Sequence, residues 1–212
     1  MKRCKARKEK FVDESFPPCR TSLISDWTTS PKAAVWDRFE WRRASEFLTP
    51  RDLAVFKQGI SPSDIRQGAL GNCYFLSALT CLAEVPERIE RLFISKQPNP
   101  EGLYGIEVCK NGEWLQILLD DYFPCGGPEL GPAFSRSNGN ELWVLLLEKA
   151  WAKIHGSYEN IDGGLTKDVL QDLTGAPCEV FSHDDEDLWN KIVSSNEQNF
   201  LLTASAGNTR AS

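Results

Sequence analysis

One cysteine stands at the start of a long apolar run, in a position that favours nucleophilic chemistry. Cys73 follows Gly71 and Asn72 directly, and the residues from there to Val85 are almost all apolar. At a helix N-terminus, unpaired backbone N–H groups and the helix dipole favour a thiolate, which is the reactive form of cysteine. Gln67 carries a side-chain amide that could donate to a developing oxyanion. These residue types fit a catalytic nucleophile, but a cysteine in an apolar helix also fits a small core residue.

A cysteine nucleophile of this kind works with a histidine that accepts the thiol proton and an Asn or Asp that orients the histidine. The sequence contains only two histidines. His155 lies at the predicted end of a helix, where a contact with the helix dipole explains it. His183 lies in an acidic segment and is expected to face solvent. Neither is expected to act as the catalytic base.

The elements that must position Cys73 are predicted from local signals. The run 72–85 is apolar on nearly every face, which is typical of a helix buried on all sides, and Pro86 ends it. A second strong helix is predicted from about Glu141 to His155, with Gly156 placed to stop it. Another helix start is predicted at 61–64, where Ser61 caps and Asp64 complements the dipole.

Alternating apolar residues on both sides of Asn111 and Gly112 predict a β-hairpin with a tight turn. Shorter helices are expected through Val169 and Leu170 and around 189–193. Residues 1 to about 50 show no clear periodicity and are expected to form a largely irregular arm on the core. The acidic pair Asp120 and Asp121 closes a predicted strand, where it is expected to set turn hydrogen bonds rather than bind metal. The sequence therefore predicts a helix-rich α+β domain.

Composition excludes several classes of function. The 212 residues carry a net charge of −6, which argues against nucleic-acid binding. The basic residues within 1–10 are expected to form a solvated arm, with a localisation signal or an anionic-surface contact as alternatives. No apolar run approaches the roughly 18 residues of a transmembrane segment. The seven cysteines form no C-x-x-C pair, which favours reduced thiols and a cytoplasmic protein.

The segment QGALGNCYFLSAL at 67–79 resembles the catalytic cysteine segment of the calpain family of cysteine proteases. Similar family strings follow in order: GEW at 112–114, DD at 120–121, LEKA at 147–150, GSYE at 156–159 and LTGAPCE at 173–179. The last string and FVDESFPP at 11–18 look most like the small-optic-lobes branch. The resemblance covers residues 11 to about 206 and implies the first subdomain of a papain-like cysteine protease fold.

The resemblance implies roles for individual residues. Cys73 is implied as the nucleophile, Gln67 and the Cys73 backbone N–H as oxyanion donors, and Gly164 as a residue that binds the substrate backbone. Taken by itself, Gly164 also fits a loop glycine with positive φ. The family more often has Trp where this chain has Tyr74, and Asp where it has Asn72.

The resemblance also implies calcium binding within this part of the protease. The implied ligands are the carbonyl oxygens of Lys57 and Gly59 and the carboxylates of Asp64 and Glu141. Hard oxygen ligands of this kind suit calcium, although the sequence has no EF-hand loop. Taken alone, each carboxylate also fits the first turn of a helix.

Three regions are therefore expected: a basic arm at 1–10, the first half of a calpain-type protease core at 11–206, and a junction at 207–212 to a second half. The family's histidine context would follow within a few tens of residues, beyond Ser212. The resemblance implies a calcium-dependent endopeptidase that cuts intracellular proteins and is inactive until that second half is supplied. The alternative is a non-catalytic calpain-like module that binds or regulates proteins.

Overall fold

The computed structural model describes residues 9–57, 59–126, 131–138 and 141–205. Its helices are α1 (Arg20–Leu23), α2 (Ala33–Trp36), α3 (Ala44–Phe47), α4 (Cys73–Ala83), α5 (Pro86–Glu90), α6 (Trp143–His155), α7 (Thr166–Thr174) and α8 (Leu188–Glu197). Its strands are β1 (Glu40–Arg43), β2 (Ile65–Arg66), β3 (Leu103–Lys110), β4 (Glu113–Asp120), β5 (Tyr122–Gly126), β6 (Gly131–Pro132) and β7 (Arg136–Ser137). Short 3₁₀ turns occupy Pro62–Asp64 and Glu159–Ile161. This mixture of helices and strands confirms the α+β prediction.

The strands pair in small antiparallel sheets. β3 and β4 form the predicted hairpin, in which Asn111 (φ 53°) and Gly112 (φ 82°) both have positive φ. Two successive positive φ values match the twist of a tight hairpin turn, and Asn-Gly reaches them at low cost. The other sheets have the orders β1-β5-β6 and β2-β7. The start predicted at Ser61 is present, but it leads only into a 3₁₀ turn and then β2.

Helix α6 runs through the core, where every residue from Trp143 to Ala152 is buried. It ends at Gly156 (φ 93°), as the sequence predicts. Helix α4 packs on it through stacked Phe75 and Trp151 rings, whose centroids are 5.6 Å apart. The expectation that α4 is buried on all sides is wrong, because Cys73 and Ser77 form an exposed stripe one turn apart. No helix among the described residues is long and apolar enough to cross a bilayer.

The N-terminal segment is more regular than expected. Short helices α1 to α3 interrupt it, and β1 pairs with β5, so the prediction of a largely irregular arm is wrong in this part. Phe16, Ile24 and Trp36 nevertheless anchor the segment in the core. Strand β1 has the charged sequence EWRR, and pairing with a distant strand rather than local periodicity makes it extended. The predicted basic arm up to residue 8 and the junction at 207–212 lie outside the described residues.

In the acidic pair at the end of β4, Asp120 makes a turn hydrogen bond as the sequence predicts, and both side chains also form ion pairs that the sequence did not indicate. Asp120 is fully buried, accepts a hydrogen bond from the Tyr122 backbone N–H at 3.0 Å and pairs with the buried Lys149 ammonium. Asp121 forms an ion pair with Arg43. These contacts join the hairpin to α6 and β1.

Candidate active site

Cys73 is the first residue of α4, as predicted, and it is exposed. The buried Asn72 carbonyl accepts hydrogen bonds from the N–H groups of Phe75 (2.9 Å) and Leu76 (3.1 Å), so the chain turns into the helix at Asn72. Among the described residues, the Cys73 backbone N–H has no acceptor. The thiol and an unpaired N–H group therefore share one accessible helix end.

Gln67 lies in the loop that leads into this helix. It is exposed, and its Nε2 donates a hydrogen bond to the Leu70 carbonyl oxygen at 2.8 Å. This contact uses one of the two N–H groups of the amide and leaves the other for a substrate oxyanion. The structure thus holds the Gln67 amide within the loop that ends at Cys73. Its role as an oxyanion donor stays a prediction.

The glycines of this loop have an internal role that the sequence did not indicate. A Cβ on Gly68 would overlap the Phe134 carbonyl oxygen, and a Cβ on Gly71 would overlap the Asp162 carboxylate. The loop therefore packs tightly on two other segments of the chain. Both glycines are therefore required by these internal contacts.

Gly164 lies against the aromatic ring of Tyr74, where a Cβ would collide with the ring. The positive φ expected for a loop glycine belongs instead to its neighbour Gly163 (φ 86°), whose N–H donates to the Gly71 carbonyl at 2.9 Å. The Tyr74 hydroxyl donates to the Ile161 carbonyl at 3.3 Å. Gly164 is thereby brought beside the Cys73 segment, as a substrate-backbone site requires, and that role stays a prediction.

Glu148 is a feature of this site that the sequence analysis missed, although it lies in the LEKA string. Its side chain is buried in α6. Asn72 Nδ2 donates to its Oε1 at 2.7 Å, and the Ser135 N–H lies 3.1 Å from both oxygens. Burial raises the pKa of Glu148 to about 7, and the hydrogen bonds from Asn72 and Ser135 limit that rise. A charged residue inside an apolar helical run was the available signal.

Glu148 is expected to make stability depend on pH. Its folded pKa is about 7 against an ordinary value of 4.5, so the folded state binds the extra proton between these values. The free energy of unfolding should therefore fall as pH rises through this window, by about 3 kcal/mol in total. Urea unfolding of the parent chain and of Glu148→Gln from pH 4.5 to 8 measures how much Glu148 contributes to this pH dependence. Parallel pH profiles for the two proteins would contradict it.

Glu141, one of the predicted calcium ligands, lies close to the segments that carry Lys57 and Asp64. Glu141 forms a bridge with Ala54, which brings it to the segment that carries Lys57. Glu141 is buried, and its Oε2 has no hydrogen-bond partner among the described residues. Burial raises its pKa to about 6; the Lys57 backbone N–H opposes this rise, and the charge of Asp64 adds to it. Two neighbouring carboxylates and an unpaired buried oxygen fit a hard cation.

The other two predicted ligands, Gly59 and Asp64, lie between Lys57 and the Gln67 loop, and their role in binding calcium stays a prediction. Gly59 has a φ of 94°, and the Asp64 Oδ2 accepts a hydrogen bond from the Ser61 N–H at 2.8 Å. Among the described residues no group of three or more His, Cys, Asp or Glu could hold a metal. A site here would therefore depend on the carbonyl oxygens of Lys57 and Gly59 as well as the two carboxylates.

Neither histidine is placed to serve Cys73. The His155 Nδ1 lies 2.8 Å from the Trp151 carbonyl oxygen, and its ring packs on the Trp151 ring at 4.3 Å. His183 is exposed and pairs with Asp184 at 3.0 Å. Among the described residues, neither ring lies within hydrogen-bonding distance of the Cys73 Sγ. Neither histidine is therefore positioned to act as a base for Cys73 among the residues that the structure describes.

Comparison with known proteins gives one consistent result. The family described as "Calpain family cysteine protease" matches residues 11–212. The "Calpain-type cysteine protease DEK1" of Arabidopsis thaliana is 38% identical over 210 residues, which cover 92% of this chain and 10% of that protein. "Calpain-type cysteine protease ADL1" of Oryza sativa subsp. japonica is 38% identical, with 92% and 10% covered. "Calpain clp-4" of Caenorhabditis elegans is 36% identical, with 84% and 24% covered.

These matches confirm the family predicted from the sequence, whereas the assignment to its small-optic-lobes branch stays a prediction. The chain spans about a tenth of the length of the plant relatives and about a quarter of the nematode relative.

Proposed function

The chain belongs to the calpain family of cysteine proteases, and on this premise we propose that it is the nucleophile-bearing part of a calcium-regulated endopeptidase. The observation that carries the proposal is the exposed Cys73 at the N-terminus of α4, where the Gln67 loop ends and where Gly164 packs on the ring of the adjacent Tyr74. The substrates are intracellular proteins. The unpaired cysteines of the described residues support a reducing, cytoplasmic location.

In this proposal, the Cys73 thiol passes its proton to the histidine of a second half, and the resulting thiolate attacks the carbonyl carbon of the scissile peptide bond. The Cys73 N–H and the Gln67 amide stabilise the oxyanion as it forms. The C–N bond then breaks, and the histidine returns its proton to the leaving amine. Water hydrolyses the resulting thioester and regenerates Cys73. Gly164 holds the substrate backbone during these steps.

The exposed apolar residues near the C-terminal end support a second half as partner. Helix α8 buries none of its residues, and Trp189 (73%) and Phe200 (61%) are largely exposed. This segment reaches the exposed side of α4, where the Cys81 Sγ lies 3.6 Å from the Leu202 carbonyl oxygen. Such apolar exposure close to the nucleophile helix favours coverage by another protein surface.

We predict that the chain alone does not cleave an unstructured casein substrate in the presence of calcium, because neither of its histidines lies beside Cys73 in the described part of the chain. Adding a separately expressed calpain second half, which carries the histidine and asparagine, should restore cleavage. The measurement is the appearance of new peptide N-termini over time. Cleavage by the chain alone that Cys73→Ala abolishes would mean that His155 or His183 acts as the base. No cleavage by the mixture would favour the non-catalytic binding module.

Calcium bound by Lys57, Gly59, Asp64 and Glu141 would join the segment before the Gln67 loop to the start of α6. We therefore predict that calcium raises the melting temperature of the chain, because the ion binds the folded site only. At 100 times Kd the stabilisation is about 2.7 kcal/mol. Asp64→Ala and Glu141→Gln should each abolish the shift, whereas the exposed-surface variant Asp26→Asn should keep it.

The same site should respond to pH. The folded pKa of Glu141 is about 6, so a proton competes with calcium below that pH and the thermal shift should be smaller at pH 5 than at pH 7.5. Differential scanning fluorimetry at both pH values measures this difference. An unmutated chain with no shift at millimolar calcium would refute the site.

A further inference from the structure

Glu148 is a buried carboxylate that the proposed chemistry does not use. It lies in the middle of α6 and is only 2% exposed. Among the described residues it has no ion-pair partner, because the neighbouring Lys149 binds Asp120. An apolar side chain of the same size would avoid the cost of burying this group. Packing alone therefore does not explain a glutamate at this position.

The hydrogen bonds of Glu148 point to the nucleophile segment. Asn72, which donates to it, is the residue directly before Cys73. An asparagine at a helix N-cap usually binds the backbone of its own helix, but Asn72 makes no such bond. Its side-chain amide is instead directed at a carboxylate 76 positions further along the chain. The Asn72 side chain therefore binds Glu148 in the core instead of capping the N-terminus of α4.

We propose that Glu148 is a positioning residue that fixes Cys73 against α6 through Asn72. Its effect on substrate turnover rests on the proposed function, whereas its effect on the reactivity of the Cys73 thiol does not. The Asn72 side chain is held by Glu148, while the Asn72 carbonyl starts α4. Because both the side chain and the carbonyl group of Asn72 are held by hydrogen bonds, the position of the next residue, Cys73, is restricted. Displacements of about 1 Å at a reacting group can cost about 10²-fold in rate.

The Glu148 carboxylate also binds the segment 133–135, which packs against the Gln67 loop. The Ser135 N–H donates to Glu148, and the preceding residues 133–134 contact the loop itself. The Ala69 N–H donates to the Ala133 carbonyl at 3.0 Å, and Gly68 packs on the Phe134 carbonyl. Glu148 therefore ties the nucleophile segment and the support of the Gln67 loop to one rigid helix.

Two substitutions distinguish the loss of the hydrogen bonds of Glu148 from the loss of its buried charge. Glu148→Met keeps the length of the side chain but accepts no hydrogen bond from Asn72. In Glu148→Gln the new amide can donate to Asn72 Oδ1, a buried atom that has no partner among the described residues, while its oxygen accepts from the Ser135 N–H. Glu148→Gln should therefore keep these hydrogen bonds, and Glu148→Met should lose them.

The first readout uses the chain alone: the rate at which iodoacetamide alkylates each cysteine, followed by mass spectrometry. Glu148→Met should slow alkylation of Cys73 several-fold and leave the exposed Cys19 unchanged, and Glu148→Gln should match the parent chain. The second readout is kcat and KM with the second half added. Glu148→Met should lower kcat by about 10²-fold with little change in KM. Asn72→Ala should cause a similar loss, and combining the two should add little.

Asp172→Asn serves as a control, because it alters another buried carboxylate, one whose partner is Lys110. It should leave alkylation of Cys73 unchanged. A folded Glu148→Met variant with the parent's kcat and alkylation rate overturns the proposal, as does a Glu148→Gln variant that loses as much as Glu148→Met. If Glu148→Met does not fold, unchanged values in Asn72→Ala overturn it. If the parent mixture cleaves nothing, the proposed function fails, but the alkylation rates still decide the positioning role.

Discussion

Cys73→Ala is expected to lower kcat of the chain combined with its second half by about 10⁴-fold or more. Nucleophile and base act as a unit, so removal of the thiol removes the covalent pathway entirely. Gln67→Ala should cost less, about 10²- to 10³-fold, because the Cys73 N–H still supports the oxyanion. The measurement is initial-rate kinetics on an unstructured protein substrate with calcium present.

Cys81→Ala is the matched control for Cys73→Ala. Cys81 lies on the same helix, two turns later, and is also partly accessible. Among the described residues, the hydrogen-bond partner of its thiol is the Leu202 carbonyl oxygen. Cys81→Ala should therefore keep kcat within about twofold of the parent value. A Cys73→Ala protein with substantial turnover, or a Cys81→Ala protein without it, would show that the nucleophile has been misassigned.

Lys149→Met is expected to lower the free energy of unfolding by about 3–5 kcal/mol, the largest stability loss predicted here. The Lys149 ammonium is fully buried and donates to the Asp120 carbonyl at 3.1 Å and the Tyr122 carbonyl at 2.6 Å, besides pairing with the Asp120 carboxylate. Without it, the Asp120 charge stays buried without a counterion. Equilibrium unfolding in urea gives the loss directly.

Two further variants test whether the buried charge is the cause. Lys149→Met combined with Asp120→Asn removes both charges and should be less destabilised than the sum of the single variants. Lys96→Met removes an exposed ion pair with Glu90, in which both side chains are almost half exposed, and should cost less than about 1 kcal/mol. Similar losses for Lys149→Met and Lys96→Met would contradict the assigned role of the Lys149 pair.

The sequence by itself was enough for the features that depend on neighbouring residues. The hairpin at Asn111 and Gly112, the end of α6 at Gly156 and the start of α4 next to Cys73 all follow from signals a few residues long. Turn type, helix stop and helix start are set by local φ preferences and local hydrogen bonds. The family resemblance in the strings around Cys73 was also readable without coordinates, and the comparisons confirm it.

Tertiary structure alone decided which distant surfaces meet. Neighbouring residues in the sequence did not indicate that β1 pairs with β5. They also did not indicate the close contacts that leave no room for a side chain at Gly68 and Gly71. The bond between Asn72 and Glu148 joins residues 76 positions apart, and nothing in the sequence around Glu148 identifies Asn72 as its partner. Long-range contacts depend on how whole elements pack, and the partner, burial and pKa of a side chain follow from that packing rather than from its neighbours in the chain.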